Sequence, residues 1–434
     1  MMKFLPSSQK WGASRVAKVS QVMVANAFNN LSSLAITLHA ARKMGPEKFG
    51  QLGLVLAIVA FGVVFLDCGI SVALVRGYNF DSNEANRTAL VGGVLKAKLL
   101  QAVLISVFAF PLAHALRFFI VEIGSDYALA AGIASAGLMS VWVSVRSLEQ
   151  ARRNYNSFTR YVYLLGVLRF VVYGVLLIRG SFSAFSVVAC LYLIPLCLLM
   201  FYSLVIQERG YLAIHPERLK HEITAVKAAV LYGAWVAGAS ILLSFTIRLP
   251  LFFLARRSTL KELGLFTAAF TFINGFGMIW DALNTVIMPE VSELRTPESR
   301  LRFRKLLARK FPLMISLLAL VIVACVFAQL FLLGSQYRGS VSIFLALGAF
   351  TAVCMCISLM NNLVHSYGVP AIVTGMNVVR VIAIAIVLMF WPHLVAMNAA
   401  FIYGTVLLSG DLAVLLYVQR RLAVDRTAMS LVTP

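Results

Sequence analysis

The chain is poor in acidic residues: Asp and Glu number 17 against 38 Lys and Arg, which gives a formal net charge of +21. Its six cysteines lack the spacing of a zinc or thioredoxin motif. No glycine-rich loop leads into Lys and Ser or Thr, the pattern that binds nucleotide phosphates. We therefore expect no catalytic residues, no metal and no cofactor.

Long apolar runs dominate what is present. Only 13% of the residues are charged, 61% are hydrophobic, and the mean hydropathy is +0.88. About 20 apolar residues cross the hydrocarbon core of a bilayer as one helix. The sequence thus predicts an all-α polytopic membrane protein with twelve transmembrane helices. The expected spans are, approximately, residues 19–41, 50–75, 99–116, 127–146, 161–178, 182–206, 226–254, 262–288, 311–334, 341–364, 370–391 and 394–418.

The basic residues favour one side of this arrangement. With the N-terminus in the cytoplasm, cytoplasmic segments hold 26 of the 38 Lys and Arg, the other side holds nine, and three lie inside spans. This is the positive-inside bias, which predicts that both termini are cytoplasmic. The basic run at 295–310 then suits anionic membrane lipids. We expect no nucleic-acid partner.

The chain repeats itself weakly at a spacing of 214 residues. Residues 41–76 and 255–290 share five identities, and these include Gly50 with Gly264 and Asp67 with Asp281. The matches fall at a helix start and at a carboxylate within an apolar run. Parallel repeats of this kind are typical of transporters whose site lies between two halves.

The longest polar stretch between spans separates six spans from six. We expect an N-terminal lobe at 1–206, a cytoplasmic inter-lobe linker at 207–225 and a C-terminal lobe at 226–434. Because six is even, the second lobe enters the membrane in the same orientation as the first. The prediction is two parallel six-helix lobes around a central cavity.

Polar side chains form a stripe on the first helix of each lobe. Asn26 and Asn30 share a face of span 1, and the repeat maps them onto Ser240 and Ser244 of span 7. Such stripes either line a wet cavity, where they contact substrate, or make hydrogen bonds between packed helices. The sequence leaves both interpretations open.

Three arginines lie inside predicted spans: Arg169, Arg248 and Arg380. A charge within the membrane is costly and seldom faces lipid. A guanidinium binds phosphate through a planar fork and stays protonated when buried. We expect these three residues to bind a dianionic or pyrophosphate head group. The alternative is that each ties helices together through carbonyl groups or a carboxylate.

The repeated aspartates, Asp67 and Asp281, lie seven or eight residues before the expected cytoplasmic end of their spans. A carboxylate there suits a role in ion coupling or in gating. A structural pair with a nearby Lys, Arg or backbone amide is the alternative.

Two blocks of sequence resemble a known family. Residues 43–76, KMGPEKFGQLGLVLAIVAFGVVFLDCGISVALVR, resemble the second-helix signature of polysaccharide and O-antigen flippases of the Wzx type. Residues 263–292, LGLFTAAFTFINGFGMIWDALNTVIMPEVS, resemble the eighth helix of that family, and the basic run LRFRKLLARKF follows them. The family belongs to the superfamily of multidrug, oligosaccharidyl-lipid and polysaccharide exporters.

The resemblance implies a non-enzymatic flippase of the bacterial inner membrane. Its substrate would be oligosaccharide linked to undecaprenyl pyrophosphate, moved by alternating access for O-antigen, capsule or exopolysaccharide synthesis. A polysaccharide polymerase and chain-length machinery are the implied partners. Arg169 looks like an arginine common in the family's fifth helix. Relatives often carry an Asp-Arg pair in helix 7, where this chain has Pro250 and Leu251.

Two other functions remain open. An ion-coupled drug or metabolite exporter of the same superfamily would share the fold, although three intramembrane arginines suit an anion better than a cationic drug. A polysaccharide polymerase or ligase would need a reactive cluster near one face and usually a large outer loop. The expected outer loops here are short, and they hold no paired carboxylates and no histidine cluster.

Overall fold

The computed structural model describes residues 13–80, 83–119, 125–213, 216–292, 294, 296–367, 369 and 371–432. The first six spans are built from helices joined by short turns. Their bounds are Ala13–Asp67, Ile70–Phe80, Glu84–Val107, Ala109–Phe119, Asp126–Ala151, Tyr155–Arg179 and Ala184–Val188, followed by the π-helix Ala189–Leu193, the helix Ile194–Met200 and the π-helix Phe201–Gln207.

The second six spans have longer helices. A short helix, Arg209–Leu212, precedes them. Their bounds are Pro216–Arg257, Leu260–Ser292, Pro297–Leu333, the 3-10 helix Ser335–Tyr337, Arg338–Asn361, Leu363–Ser366, Ala371–Phe390 and Ala396–Val432. Asn, Ser and Thr cap several helix starts, for example Thr296, whose hydroxyl accepts a hydrogen bond from the Ser299 amide.

The prediction of twelve spans in two lobes is confirmed. Ten helical segments of the described chain are long and apolar enough to cross a membrane, and the first of these, Ser20–Phe80, holds two spans. The helix breaks at Gly45, where φ is +77° and Pro46 follows without an amide donor. Leu260–Ser292 supplies span 8. The start of span 1 and the end of span 12 therefore lie on one side of the bundle, which we call the terminal face.

The segment between the lobes is fastened to the first lobe. The helix of span 7 begins at Pro216, within the expected linker, because proline suits the first turn of a helix. Glu222 then pairs with Lys96 at 2.9 Å. Glu208 receives two hydrogen bonds from Arg152, at 2.5 and 3.0 Å. Two of the three linker acids thus bind basic residues of the first lobe.

The two lobes meet closely at the opposite face, through a seam that we call the glycine seam: Gly50, Gly53, Gly264 and Thr267. A Cβ on Gly50 would lie 2.9 Å from the Gly264 nitrogen, and one on Gly53 would lie 2.8 Å from the Thr267 Cβ. Only glycine permits this approach of spans 2 and 8.

The same face is closed by a second set of contacts. The Tyr337 hydroxyl donates to the Ala41 carbonyl at 2.8 Å, and the Gln336 amide donates to the Arg42 carbonyl at 3.1 Å. Pro46 has no N–H for the Arg42 carbonyl four residues earlier, so that oxygen is free to accept from the second lobe. The break after span 1 thereby becomes an inter-lobe contact.

Candidate functional site

Arg169 lies in the helix Tyr155–Arg179 and is only 3% exposed. Its Nη1 donates to the Asn29 side chain at 3.0 Å, and its Nε donates to the Leu191 carbonyl at 2.8 Å. Its guanidinium carbon lies 5.3 Å from the centre of the Tyr192 ring. The side chain therefore joins spans 1, 5 and 6.

The Leu191 carbonyl is available because of a proline. In an α-helix this oxygen would accept from the amide of residue 195, but Pro195 has none. The chain forms a π-helical turn at Ala189–Leu193 just before it, an irregularity often found at functional sites. Arg169 satisfies the oxygen that Pro195 leaves free.

Arg380 lies in the helix Ala371–Phe390 and is 8% exposed. It bonds to the Asn377 side chain at 3.2 Å, the Leu407 carbonyl at 3.2 Å and the Asp411 carboxylate at 2.7 Å. A Cβ on Gly410 would lie 2.9 Å from its guanidinium carbon, so glycine makes room for it. Arg380 thus joins span 11 to span 12 and its charge is matched by a carboxylate.

Arg248 lies nine residues before the end of the helix Pro216–Arg257 and is half-buried. Its guanidinium carbon lies 5.6 Å from the centre of the Phe270 ring. Its buried Nε has no hydrogen-bond partner, and among the described residues no carboxylate forms an ion pair with it. Of the three arginines, Arg248 is the one whose hydrogen-bonding capacity is least used.

Aromatic rings lie beside the arginines in both lobes. Tyr192 of the first lobe lies beside Arg169, at 5.3 Å from the guanidinium carbon to the ring centre. The Phe270 ring beside Arg248 also contacts the ring of buried Tyr403 of span 12, with ring centres 6.3 Å apart. We use the name arginine–tyrosine array for the three arginines and the two tyrosines: Arg169, Arg248, Arg380, Tyr192 and Tyr403. Its members belong to both lobes.

The polar stripes occupy different environments. Asn30 is exposed and accepts from Asn29 at 3.5 Å, so it connects through Asn29 to Arg169. Asn26 is half-buried in the same helix. In span 7, Ser240 is exposed and Ser244 is half-buried. The stripe of span 1 therefore reaches the array through a neighbouring asparagine, Asn29.

The repeated aspartates lie apart from the array. Asp67 ends the first long helix, accepts from the Ser71 hydroxyl at 2.5 Å and lies 3.9 Å from the Lys98 ammonium. Asp281 belongs to the helix Leu260–Ser292, but its side chain lies outside the described residues. For Asp67, the geometry matches the structural-pair alternative.

Sequence reasoning missed Tyr192, Tyr403 and Asn29. A single tyrosine in an apolar run has no distinctive pattern, and only the nearby Pro195 hints at a special carbonyl. Asp411, an acid within span 12 that has no counterpart in the repeat, is the partner of Arg380. No group of three His, Cys, Asp or Glu side chains suited to a metal occurs in the described part of the chain.

Comparison with protein families identifies one match. The family model described as "Polysaccharide biosynthesis protein" matches residues 40–342, which is well over half of the chain. No curated protein sequence matches.

Solved structures of MATE transporters share the fold. An inward-facing multidrug resistance transporter of the MATE family in the MOP superfamily is 14% identical, with a TM-score of 0.71 over 95% of this chain and 99% of its own. A MATE protein in complex with MaL6 is 14% identical, with a TM-score of 0.60 over 94% and 97%. An outward-facing MATE transporter is 13% identical, with a TM-score of 0.55 over 95% and 96%.

Proposed function

Because this chain belongs to the polysaccharide biosynthesis protein family and has the fold of a membrane exporter, we propose that it is a lipid-linked oligosaccharide flippase. Its substrate is an oligosaccharide carried on undecaprenyl pyrophosphate. It moves this lipid between leaflets by alternating access, with the terminal face in the cytoplasm and the chain in the bacterial inner membrane. The moved glycan then passes to a polymerase and chain-length machinery.

The charge of the arginine–tyrosine array carries this proposal. The array holds three guanidinium groups, and one carboxylate, Asp411, is paired with one of them. Two positive charges remain for a ligand, which suits a pyrophosphate diester. Such a surplus inside a membrane is costly unless an anion visits it.

Roles within the site follow from exposure and hydrogen bonding. Arg248 has an unused buried donor, so it is assigned direct contact with phosphate oxygens. Arg169 bonds to neutral protein groups, so it contributes positive potential near Arg248, whereas Arg380 is paired with Asp411 and contributes little net charge. Asn26, Asn30, Ser240 and Ser244 are assigned to hydroxyl groups of the first sugars. Of these four polar residues, the two asparagines belong to the N-terminal lobe, 1–206, and the two serines belong to the C-terminal lobe, 226–434.

The proposal is tested in proteoliposomes loaded with a fluorescent undecaprenyl-pyrophosphate glycan. The protein is expected to accelerate movement of the glycan between leaflets, measured by quenching from one side. Arg248→Ala removes a charged hydrogen-bond donor and is expected to slow transport about tenfold or more. Arg248→Lys keeps the charge without the planar fork and should give an intermediate rate.

Arg256→Ala is the matched control, because Arg256 is exposed on the same helix, near its end. It should transport at the wild-type rate. No acceleration over protein-free vesicles would end the flippase proposal. Full transport by Arg248→Ala would be compatible with flippase activity but would contradict the role of the array in binding the substrate.

A second function, export of a drug or metabolite, draws support from the fold shared with multidrug transporters. The positive surplus of the array opposes a cationic drug and admits an organic anion. Efflux of a cationic dye and of an anionic dye, measured in the same vesicles, separates the possibilities. Rapid transport of either dye without movement of the lipid-linked glycan would favour the exporter.

A further inference from the structure

A fully buried lysine lies beside an interrupted helix in the first lobe. Lys98 comes one residue before the expected start of span 3, yet it lies inside the helix Glu84–Val107 and is 1% exposed. Its ammonium group lies 2.5 Å from the Leu66 carbonyl and 3.3 Å from the Asp67 carbonyl. The Ser140 hydroxyl, at 3.1 Å, and the Gln101 side-chain oxygen, at 3.3 Å, complete the shell.

The two carbonyls are free because span 2 is broken there. Cys68 has φ of +48° and Gly69 has φ of +69°, so two successive residues adopt the left-handed conformation and the helix ends at Asp67. The last carbonyls of a helix lack partners within it. Inside a membrane such groups need a donor from elsewhere in the protein.

The shell around the Lys98 ammonium has the form of a cation site. Four neutral oxygens lie within 3.3 Å, and the Asp67 carboxylate lies farther away, at 3.9 Å. The Gln101 amide also donates to the Leu66 carbonyl, at 3.2 Å. The Lys98 ammonium lies closer to neutral oxygens than to the Asp67 carboxylate. A bound monovalent cation would make the same contacts.

The break held by this cation is also a contact between the lobes. A Cβ on Gly69 would lie 2.9 Å from the Cα of Gly233 in span 7. Arg76, about two turns beyond, lies over the Tyr232 ring at 4.3 Å. The conformation of residues 66–69 therefore sets how span 2 meets the second lobe.

We propose that the Lys98 ammonium is a tethered substitute for a bound monovalent cation, and that it positions the break of span 2 against span 7. None of its contacts belongs to the arginine–tyrosine array, so the inference does not depend on the substrate. It also implies that this part of the first lobe works without added sodium or potassium.

Cys68 provides a natural reporter of the break. Its thiol is partly exposed and bonds to the Phe65 carbonyl at 2.9 Å. The protein in nanodiscs is labelled with a maleimide, and modification of the peptide that contains Cys68 is followed by mass spectrometry. Labelling of the wild type should be the same in sodium, potassium and choline buffers.

Two substitutions distinguish loss of the cation from loss of packing. Lys98→Met fills the site without a charge, and the unpaired carbonyls should draw in water and speed Cys68 labelling about tenfold. Lys98→Ala should show the same increase and leave space for a small amine. Millimolar methylammonium should return Lys98→Ala to the wild-type rate and leave Lys98→Met unchanged.

Ser140→Ala keeps the lysine and removes one oxygen of the shell, so it should speed labelling by a smaller factor. This variant serves as the test if both Lys98 variants fail to fold. Unchanged labelling in Lys98→Met or, failing that, in Ser140→Ala overturns the proposal. So does a Lys98→Ala protein that methylammonium does not affect.

Discussion

At the scale of single residues, the three intramembrane arginines are not equivalent. Arg380 is neutralised by Asp411 and holds span 11 against span 12, which is the structural alternative that the sequence left open. Arg169 donates hydrogen bonds to the Leu191 carbonyl and to the Asn29 side-chain oxygen. Arg248 leaves its buried Nε without a partner and forms no ion pair among the described residues, whereas Arg380 leaves its Nε without a partner but is paired with Asp411. In the proposed flippase, identical residue types in similar positions along the spans therefore take scaffold and ligand-binding roles.

The pair of Arg380 and Asp411 yields a stability prediction. Arg380→Ala or Asp411→Ala leaves one buried charge unpaired and should cost about 3–5 kcal/mol of unfolding free energy. The double variant removes both charges and should cost clearly less than the sum. Denaturant unfolding in detergent micelles measures the three changes. Strictly additive losses would show that the pair is not coupled, and Arg338→Ala, at an exposed arginine, is the control.

At the scale of elements, the irregular shape of span 6 is associated with a missing backbone amide. Pro195 removes one amide, the helix widens into a π-turn just before it, and Tyr192 lies within that turn. The irregular segment brings a free carbonyl and an aromatic ring to the same arginine. A regular helix would satisfy the carbonyl internally and turn Tyr192 elsewhere.

Pro195→Ala restores the missing amide and tests this account. The variant should unfold at a temperature no lower than that of the wild type, because alanine favours a helix interior by about 3 kcal/mol over proline. Transport should nevertheless fall several-fold, because a regular helix would shift the Leu191 carbonyl and the Tyr192 ring relative to Arg169. Pro312→Ala, in the exposed part of span 9, is the control and should transport normally. Full activity of Pro195→Ala would contradict the role of the free carbonyl.

The sequence predicted elements better than contacts. Span number and lobe order follow from the length of apolar runs, which any membrane helix must satisfy. Lys98 was missed because a lysine at the edge of an apolar run normally marks a loop, and only the break at Cys68 and Gly69 makes its burial favourable. Tyr192 was missed because its importance comes from the helix irregularity around it. The roles of Lys98 and Tyr192 depend on tertiary contacts, which the hydrophobic periodicity of the sequence does not reveal.

At the scale of the whole molecule, the lobes are closed on one face. The glycine seam holds span 2 against span 8, and the bonds of Gln336 and Tyr337 hold the end of span 1 against the 3-10 helix before span 10. In the proposed flippase, alternating access requires these contacts to separate so that a bulky glycan can leave. They involve backbone groups that water can satisfy once the seam opens.

A disulfide across the seam should arrest the cycle. In a variant whose six native cysteines are replaced, Gly53→Cys and Thr267→Cys place two thiols at positions whose Cβ atoms would lie 2.8 Å apart. A small separation reaches the roughly 3.5–4.5 Å of a disulfide. Oxidation should stop glycan movement in proteoliposomes, and reduction should restore it.

The reduced double variant and Thr267→Cys alone serve as controls for the lock. The reduced double variant should transport glycan, and Thr267→Cys alone should transport at equal rates with and without oxidant. A cross-linked protein that still transports at full rate would mean that spans 2 and 8 stay together throughout the cycle. Alternating access would then have to open the molecule elsewhere.

The contact of Gly50 with Gly264 has a meaning in evolutionary terms. The two residues are counterparts in the repeat, so each lobe meets the other through its own copy of one position. Self-complementary contacts of this form occur where two identical subunits are related by a two-fold axis. A six-span ancestor that paired with itself through this glycine would have had the same interface before gene duplication joined its two copies. Glycine at this position would allow the two copies of the ancestor to approach each other closely, because neither copy has a side chain there.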